Sequence, residues 1–506
     1  MIAYTIEKLL KYAKTHLDLS ELDEIYVRNI LMHKLKVSIP CKDEIKNEEI
    51  KEMIVPDSLI DELRNYLKEE KIVEEDNIEH FITEIMGDLT PMPSAVVEKF
   101  NSFSNKQDAF DYLYNLQIKN NYIQKTAVDK NILWIAAFKD KYLEISINLS
   151  KPEKKNSDIA KLVTASKTEN EKYPKCLLCK ENLGFAGHLS HPARKNIRII
   201  PTILDNSPWF IQYSPYVYYD QHCIVIDSEH KNMTMGKSKF KKLLDFVDNF
   251  PCYFIGSNSE LPIVGGSILN HEHFQGGKHL LPIMKAKDEI EFDCNKYDKC
   301  HLSYLNFFNS TLKIESKDKN QILELMSTIY EAWKTYNDNE INIISYDENG
   351  QHNTVTPIVR KNNDTYIAYI VLRNNRVSDE HPDGIFHAHK EFHNIKSEGI
   401  GLIEASGLYI LPARLKRQLG EIEKMLCSKC DVDSFIKENE DFEIHRQFIN
   451  KLIELYGQDN TKERAHEFVT SEVNETCAKI LENTAVFKHT KTGTEHLIKF
   501  INSIKK

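Results

Sequence analysis

Two histidines and a glutamine alternate along one short segment of the chain, at His271, His273 and Gln275. Successive side chains of a β-strand point to opposite faces, so this spacing predicts that the three project from one face, with neighbours about 6 to 7 Å apart. Glycine pairs lie on both sides, at 265–266 and 276–277, and glycine lets the backbone approach a ligand closely. The pattern predicts a strand that presents two imidazoles and an amide to a ligand.

These side chains suit phosphoryl or nucleotidyl transfer. Imidazole is a neutral nucleophile near pH 7 because about half or more of it is unprotonated there. An amide two residues further on donates to a phosphoryl oxygen without competing for the proton. A bare H-x-H is more often a metal site or a pair of hydrogen-bonded core histidines. The longer string LPIVGGSILNHEHFQGG, with both glycine pairs and the glutamine, favours the transfer interpretation.

Cysteines and basic residues offer further sites. Cys176 and Cys179 form a C-x-x-C, which is able to bring two thiolates onto one metal ion, although two unconnected core cysteines fit the same spacing. Arg194 and Arg198 lie in a glycine-containing basic loop that suits a diphosphate or a hexose phosphate, or else is a solvated surface loop. Three single basic residues have the same two interpretations: Lys278, Arg360 and Arg373.

A second H-x-H stands at His387 and His389, flanked by His381 and His393. Histidines this dense are numerous enough for a second metal site. A hydrogen-bonded structural cluster explains them as well. No glutamine follows this H-x-H at the position that Gln275 has in the first one, so the segment is not predicted to repeat the transfer chemistry.

The elements that must hold these residues change in type along the chain. Residues 1 to about 125 place apolar side chains at helical spacing, and ILWIAAF and YLEISINLS predict a pair of strands joined by a short turn. Strand signals dominate 176–290 and 340–415, with a helix predicted at KFKKLLDFVDNF. Charged helices are predicted from Leu415 onward. The Lys- and Glu-rich stretch at 151–175 predicts either a linker or a solvated helix.

Composition excludes several classes of protein. The chain has 506 residues, 41% of them hydrophobic and 28% charged, as expected for a folded protein of two to four domains. A net charge of −10 argues against a broad basic surface for nucleic acid. No apolar run reaches the ~18 residues of a membrane span, and the N-terminus lacks the apolar core of a signal peptide. Ten cysteines, scattered except for the C-x-x-C pairs Cys176/Cys179 and Cys427/Cys430, do not resemble a disulfide framework, so a reducing cytoplasm is expected.

The segment around the first H-x-H resembles the active-site signature of the galactose-1-phosphate uridylyltransferase family, in its second sequence type, within the histidine-triad superfamily. Other blocks are similar to that family too: HPARKNIRIIP, PWFIQYSPYVYYDQHCIVI, HNTVTPIVR and FHAHKEFHNIKSEGIGLIEASGLYILPARL. The likeness extends over residues 80–420. One departure is Asn270, because a small residue is usual before the first histidine.

The resemblance implies that UDP-glucose and galactose 1-phosphate give glucose 1-phosphate and UDP-galactose. His273 is then the nucleophile that carries UMP as a phosphoramidate through a ping-pong cycle, and Gln275 hydrogen-bonds the phosphoryl group. The first type of the family implies a structural zinc held by Cys176, Cys179, His230 and His271. No organic cofactor is expected. The expected partners are the small-molecule substrates and a second subunit in a homodimer, with no nucleic acid or membrane.

The predicted fold is α+β, with two histidine-triad-like halves of mostly antiparallel sheet framed by helical N- and C-terminal segments. The predicted parts are a helical segment (1–130), a catalytic half (131–290), a second half (291–420) and a helical tail (421–506). Substrate contacts are predicted for Arg194, Arg198, Gly265, Gly266, Ser267, Lys278, Arg360 and Arg373. Two other interpretations stay open: a histidine-triad nucleotide hydrolase or dinucleoside polyphosphate phosphorylase, and a zinc-stabilised binding protein without turnover.

Overall fold

The computed structural model describes residues 2–150, 173–188, 190–294 and 296–504. Most of the stretch predicted as a linker or solvated helix therefore lies outside the described residues. The chain divides into two compact units, Met1–Lys130 with Lys154–Lys231 and Asn131–Glu153 with Asn232–Lys506. The four-part division predicted from the sequence, with its two histidine-triad-like halves, stays a prediction.

Helices fill the beginning and the end of the chain. Their bounds are α1 Ile2–His16, α2 Glu21–Lys34, α3 Asn47–Lys51, α4 Asp57–Glu69, α5 Ile78–Leu89, α6 Pro93–Ser102, α7 Lys106–Lys119, α8 Lys125–Val128, α9 Lys237–Asn249, α10 Lys319–Thr335, α11 Leu402–Ala405, α12 Arg414–Cys427, α13 Val432–Glu438, α14 Arg446–Tyr456, α15 Lys462–Thr484 and α16 Lys491–Ile504. The helical predictions for the N-terminal segment and the C-terminal tail are confirmed. In α1 the apolar residues at helical spacing, Ile6, Leu9, Leu10 and Ala13, are all buried, as expected when one helix face packs into a core.

Strands occupy the middle of the chain. Their bounds are β1 Ile132–Phe138, β2 Lys141–Asn148, β3 Ile200–Leu204, β4 Ser207–Tyr213, β5 Cys223–Asp227, β6 Phe254–Gly256, β7 His273–Gly277, β8 Asp288–Phe292, β9 Cys300–Leu305, β10 Thr311–Ser316, β11 Tyr346–Asp347, β12 Gly350–Gln351, β13 Asn353–Asn362, β14 Thr365–Asn374 and β15 Leu408–Pro412. The predicted strand pair is β1 with β2, which run antiparallel with Phe138 opposite Lys141. The helix predicted between strands is α9.

In the first unit, β3, β4 and β5 pair antiparallel in that order. Part of the aromatic run PWFIQYSPYVYY forms β4, and Trp209 and Tyr213 are almost completely buried there. Large aromatic side chains at such positions stabilise a core through the apolar area that they remove from water. These two residues therefore pack in the core of the unit.

In the second unit, strands run antiparallel in the order β7, β6, β13, β14, β10, β9, β8. Helices α9 and α10 pack against β13, and α10 also packs against β10 and β14. A smaller sheet has β1 antiparallel to β2 and β15 parallel to β2. The α+β prediction with mostly antiparallel sheets is confirmed. Within the described ranges, none of the helices combines the length with the hydropathy that a bilayer crossing demands.

Candidate active site

The segment predicted to carry the chemistry forms β7 and the two residues before it. The strand begins at His273, so the prediction that it already includes His271 is wrong by two residues. Gln275 lies opposite Gly256 of β6. Because strand side chains alternate, His273 and Gln275 lie on one face of the sheet, which we call the imidazole face.

His273 is buried, and a short hydrogen bond fixes its ring. The ring Nδ1 lies 2.8 Å from the main-chain oxygen of His271. A carbonyl oxygen only accepts, so Nδ1 donates and a neutral ring keeps its lone pair on Nε2. Burial lowers the pKa of His273 to about 4, and the positive charge of Lys239 acts in the same direction. The site therefore offers a neutral imidazole at pH 7 whose nucleophilic atom is Nε2.

Gln275 is half-buried two residues further along the strand. Its Oε1 is enclosed by the protein, and no hydrogen-bond partner for that atom occurs among the described residues. Buried polar atoms in folded proteins are nearly always hydrogen-bonded, and rotation of the amide by half a turn would present the NH2 group at the same place. The amide is therefore available to a ligand.

Arg360 lies on the imidazole face. Gln275 is connected across the sheet to Ile358 of β13, because each of them lies opposite Gly256 of β6. Residues directly opposite one another share a face, and so do residues two apart on one strand. Arg360 follows Ile358 by two residues, which places its side chain on the face that carries His273.

Arg373 lies on the same face of β14. It is opposite Thr354, which precedes Ile358 by four residues on β13. The side chain is only 1% exposed, and Nη2 donates to the main-chain oxygen of Ile400 at 2.7 Å. Nε and Nη1 have no hydrogen-bond partner in the described part of the chain. Burial lowers the pKa of Arg373 to about 10, so the group is still charged at pH 7, and a buried guanidinium with unused N–H groups suits an anionic ligand.

The glycine pair 265–266 belongs to a loop that packs tightly on itself. A Cβ at Gly265 would lie 2.6 Å from a main-chain oxygen of the same loop, and one at Gly266 would lie 2.7 Å from Nδ2 of Asn258. The loop's own packing thus explains both glycines. Ser267 and Lys278 are exposed. Contact of Gly265, Gly266, Ser267 and Lys278 with substrate stays a prediction.

Arg198 has a structural role in the first unit. Its five N–H groups donate to main-chain oxygens at the C-terminal end of α5 and in its own loop, those of Gly87, Thr90, Pro91, Lys195 and Ile197. Carbonyl groups at a helix C-terminus lack intrahelical partners and attract a cation. No N–H group is left for a phosphate, so we leave Arg198 out of the proposed substrate site. Arg194 is half-buried beside the ring of Tyr122, and its contact with substrate stays a prediction.

Replacing Arg198 with methionine should lower the free energy of unfolding by about 3 kcal/mol, because several buried carbonyl groups lose their donor. Denaturant unfolding of the purified variant measures this loss. The matched change at half-buried Arg194, whose guanidinium donates to one main-chain oxygen among the described residues, that of Ala193, should cost less than about 1 kcal/mol. Equal losses for the two variants would contradict the structural role of Arg198.

Three of the four predicted zinc ligands lie together in the first unit. The Sγ atoms of Cys176 and Cys179 are 3.5 Å apart, and Sγ of Cys179 is 3.2 Å from Nδ1 of His230. The side chain of Asn182 donates to the main-chain oxygens of both cysteines, which holds the C-x-x-C turn in shape. Two sulfurs and an imidazole nitrogen at these separations suit tetrahedral zinc. His271 belongs to the second unit and is buried, and its part in the ligand set stays a prediction.

The second group of histidines mainly holds its own loop together. His381 and His389 stack with ring centres 4.0 Å apart, and His389 and His393 each bond a main-chain oxygen nearby. His387 accepts from the main-chain N–H of Ile400. Within the described residues, no set of three metal-ligating atoms converges there. The hydrogen-bonded alternative therefore fits these four side chains better than the metal alternative.

Lys239 of α9 is a residue of the site region that the sequence analysis missed. It is buried, and its Nζ lies 3.2 Å from Oε1 of Glu272. A signal was present, because Lys239 precedes Leu243 by four residues and Phe246 by seven and so falls on the buried face of α9. Lysine at such a position is rare unless it is paired.

Family models provide the decisive comparison. The N-terminal domain of galactose-1-phosphate uridyl transferase matches residues 19–232, and the C-terminal domain matches residues 245–441. The chain belongs to this family. Relatives named galactose-1-phosphate uridylyltransferase align over 99% of this chain: the protein of Caldanaerobacter subterraneus is 42% identical (98% of its length), that of Fusobacterium nucleatum 40% (99%) and that of Bacillus subtilis 39% (97%). The family predicted from the blocks around the first H-x-H is thus confirmed.

Among solved structures, yeast Ap4A phosphorylase Apa2 aligns with 61% of this chain and 89% of its own. Its sequence is 11% identical, and the TM-score is 0.30. A likeness this slight supports no conclusion about the fold or the reaction.

Proposed function

We propose that this chain transfers a uridylyl group between hexose 1-phosphates. Nε2 of His273 attacks the α-phosphorus of UDP-glucose, the bond from that phosphorus to the bridging oxygen breaks, and glucose 1-phosphate leaves. A phosphate oxygen of galactose 1-phosphate then attacks the same phosphorus, the P–N bond breaks, and UDP-galactose leaves while Nε2 regains its lone pair. Family membership and the names of the relatives support this reaction over the hydrolase and phosphorylase alternatives.

The observation that carries the proposal is the 2.8 Å hydrogen bond between Nδ1 of His273 and the main-chain oxygen of His271. It leaves Nε2 as the nucleophile and holds the ring in one orientation. When Nε2 bonds to phosphorus the imidazole becomes cationic, and a hydrogen bond from a charged donor is stronger than one from a neutral donor. The same contact therefore stabilises the covalent intermediate.

The polar groups of the imidazole face support phosphate chemistry at His273. We assign Gln275 the role of donating from its NH2 group to a phosphoryl oxygen during both transfers, and the lack of a hydrogen-bond partner for Oε1 among the described residues supports this role. Arg373 is buried, its Nε and Nη1 atoms have no hydrogen-bond partner among the described residues, and Arg360 shares the face by register. Fixed donors and positive charge stabilise the charge that develops on the oxygens of a transferring phosphoryl group. We assign substrate binding to these two arginines on that basis.

The exchange reaction itself tests this function. The purified chain, supplied with UDP-glucose and galactose 1-phosphate, should form UDP-galactose and glucose 1-phosphate in equal amounts, with the parallel double-reciprocal lines of a ping-pong mechanism. Accumulation of free UMP at the same rate without any UDP-galactose would instead make the chain a hydrolase.

A zinc ion is the metal that we propose for the C-x-x-C region, with Cys176, Cys179, His230 and His271 as its ligands. Two thiolates and two imidazoles form a closed tetrahedral set, which is typical of structural zinc. Bound there, zinc would contribute folding energy rather than polarise a substrate. His273 is left out of the set because its Nε2 is needed as a nucleophile.

The purified protein should contain about one zinc per chain. Serine at both Cys176 and Cys179 should remove it, because a serine hydroxyl does not replace a thiolate ligand. Metal analysis of both proteins after gel filtration measures the difference. The second C-x-x-C, Cys427 and Cys430, gives a matched control whose double serine variant should keep its zinc. Absence of zinc from the wild type, or its retention in C176S/C179S, would contradict the assignment.

Small phosphorylated substrates are the partners that this reaction requires. The net charge of −10 allows them, since a few placed cations suffice for one phosphate. We keep the homodimer, the cytoplasmic location and the lack of nucleic-acid, membrane and organic-cofactor partners as predictions.

A further inference from the structure

The residue that precedes His273 belongs to a buried ion pair. Glu272 points away from the imidazole face, and its Oε1 is 3.2 Å from Nζ of Lys239 on α9. Both side chains are at most 2% exposed. Phe274, two residues after Glu272, also faces α9, because Nζ of Lys239 is 5.6 Å from the centre of its ring.

Each partner has further directional contacts. Oε2 of Glu272 accepts from the main-chain N–H of Thr234 at 2.9 Å. Nζ of Lys239 donates to Oγ of Ser257 at 2.9 Å, and that hydroxyl donates to the main-chain oxygen of Asn258 at 2.8 Å. Residue 272 is thereby connected to α9, to the segment before α9 and to the residues that follow β6.

Stability alone does not explain an ion pair at this position. Removing two charges from water costs several kcal/mol, which their mutual attraction roughly offsets, and an apolar pair of similar volume is often equally stable. Burial lowers the pKa of Lys239, and the charge of Glu272 opposes that shift. Direction comes from the hydrogen bonds that flank the pair, from Thr234 to Glu272 and from Lys239 to Ser257, because hydrogen bonds define where a residue lies and apolar contacts do not.

We propose that the Lys239–Glu272 pair positions His273 for attack on the nucleotide, an inference that rests on the proposed function. Two contacts hold the main chain at 271–273. The ring of His273 donates to the main-chain oxygen of His271, and the carboxylate of Glu272 pairs with Lys239 of α9. Errors of about 1 Å in the placement of a reacting group cost about 100-fold in rate. Lys239 and Glu272 do not touch the substrate in this scheme and are positioning residues.

The test replaces both charges at once with residues of similar length, in K239M/E272M. Single changes leave one buried charge without a partner and should lower Tm by several degrees or prevent folding. The double variant should fold with a Tm close to that of the wild type, while kcat for sugar exchange falls about 10- to 100-fold and KM for UDP-glucose changes less than about threefold. K239M/E272Q keeps an acceptor for the N–H of Thr234. It should show the same fall in kcat with little change in KM, so it replaces the first variant if that one does not fold.

An ion pair between two C-terminal helices of the same unit gives the control. Lys451 of α14 and Glu472 of α15 form it, and K451M/E472M should keep kcat within about twofold of the wild type. A folded Lys239–Glu272 double variant with wild-type kcat, or an equal fall in kcat for K451M/E472M, would overturn the proposal. Failure of the proposed function gives a different result, because the wild type would then form no UDP-galactose at all.

Discussion

Replacing His273 with asparagine should abolish sugar exchange, with a fall in kcat of about 10⁶-fold, as expected when a covalent nucleophile is lost. Asparagine keeps an amide N–H near the main-chain oxygen of His271, so the fold around β7 should survive. It has no nitrogen lone pair able to attack phosphorus. Coupled assay of glucose 1-phosphate release measures the loss.

Buried His445 provides the control for that substitution. Its ring bonds the side chain of Gln418 at 3.1 Å, and it has no part in the proposed site. H445N should lower the free energy of unfolding and leave kcat within about twofold of the wild type. Normal exchange by a folded H273N protein would end the assignment of His273 as the carrier of UMP.

Gln275 should produce the second largest effect. Removing the amide in Q275A should lower kcat by about 10² to 10³-fold, because one fixed donor to the phosphoryl oxygens is lost from both transfer steps. KM should change little, since the interaction strengthens as charge shifts in the transition state. Q275E should be slower still, because a carboxylate repels the phosphate oxygens.

Steady-state kinetics with both substrates separate these outcomes. The control is Gln351, a half-buried glutamine whose Nε2 donates to three main-chain oxygens. Q351A should leave kcat unchanged. A rise in KM with normal kcat for Q275A would mean that the amide binds the nucleotide without acting on the transition state.

The nucleophile strand was predictable because its signal is local. A two-residue alternation determines which side chains share a face, so the shared face of His273 and Gln275 follows from the sequence and from the bounds of β7. The start of the strand depends on pairing with distant parts of the chain, and within β7 only residues 275–277 pair with β6. The alternation alone therefore did not reveal that residues 271 and 272 lie outside the strand.

Arg198 and Arg373 illustrate what the sequence leaves open. Both were predicted to contact the substrate, yet Arg198 has all five N–H groups bonded to main-chain oxygens, whereas Nε and Nη1 of Arg373 have no partner within the described ranges. The difference depends on which carbonyl groups pack against each side chain. Those around Arg198 come from the C-terminal end of α5 and from its own loop, and the one beside Arg373 comes from Ile400. The same limit applies to Lys239. Helical spacing places it on the buried face of α9, but the sequence does not indicate that Glu272 is its partner.

Intact mass spectrometry of the protein after incubation with UDP-glucose alone tests the central claim most directly. The wild type should become heavier by one uridylyl group per chain and release glucose 1-phosphate in equal amount, with the group mapped to His273, while H273N keeps its original mass. An unmodified wild-type chain that nevertheless exchanges sugars, or an equally modified H273N chain, would contradict a uridylyl-histidine intermediate at this residue.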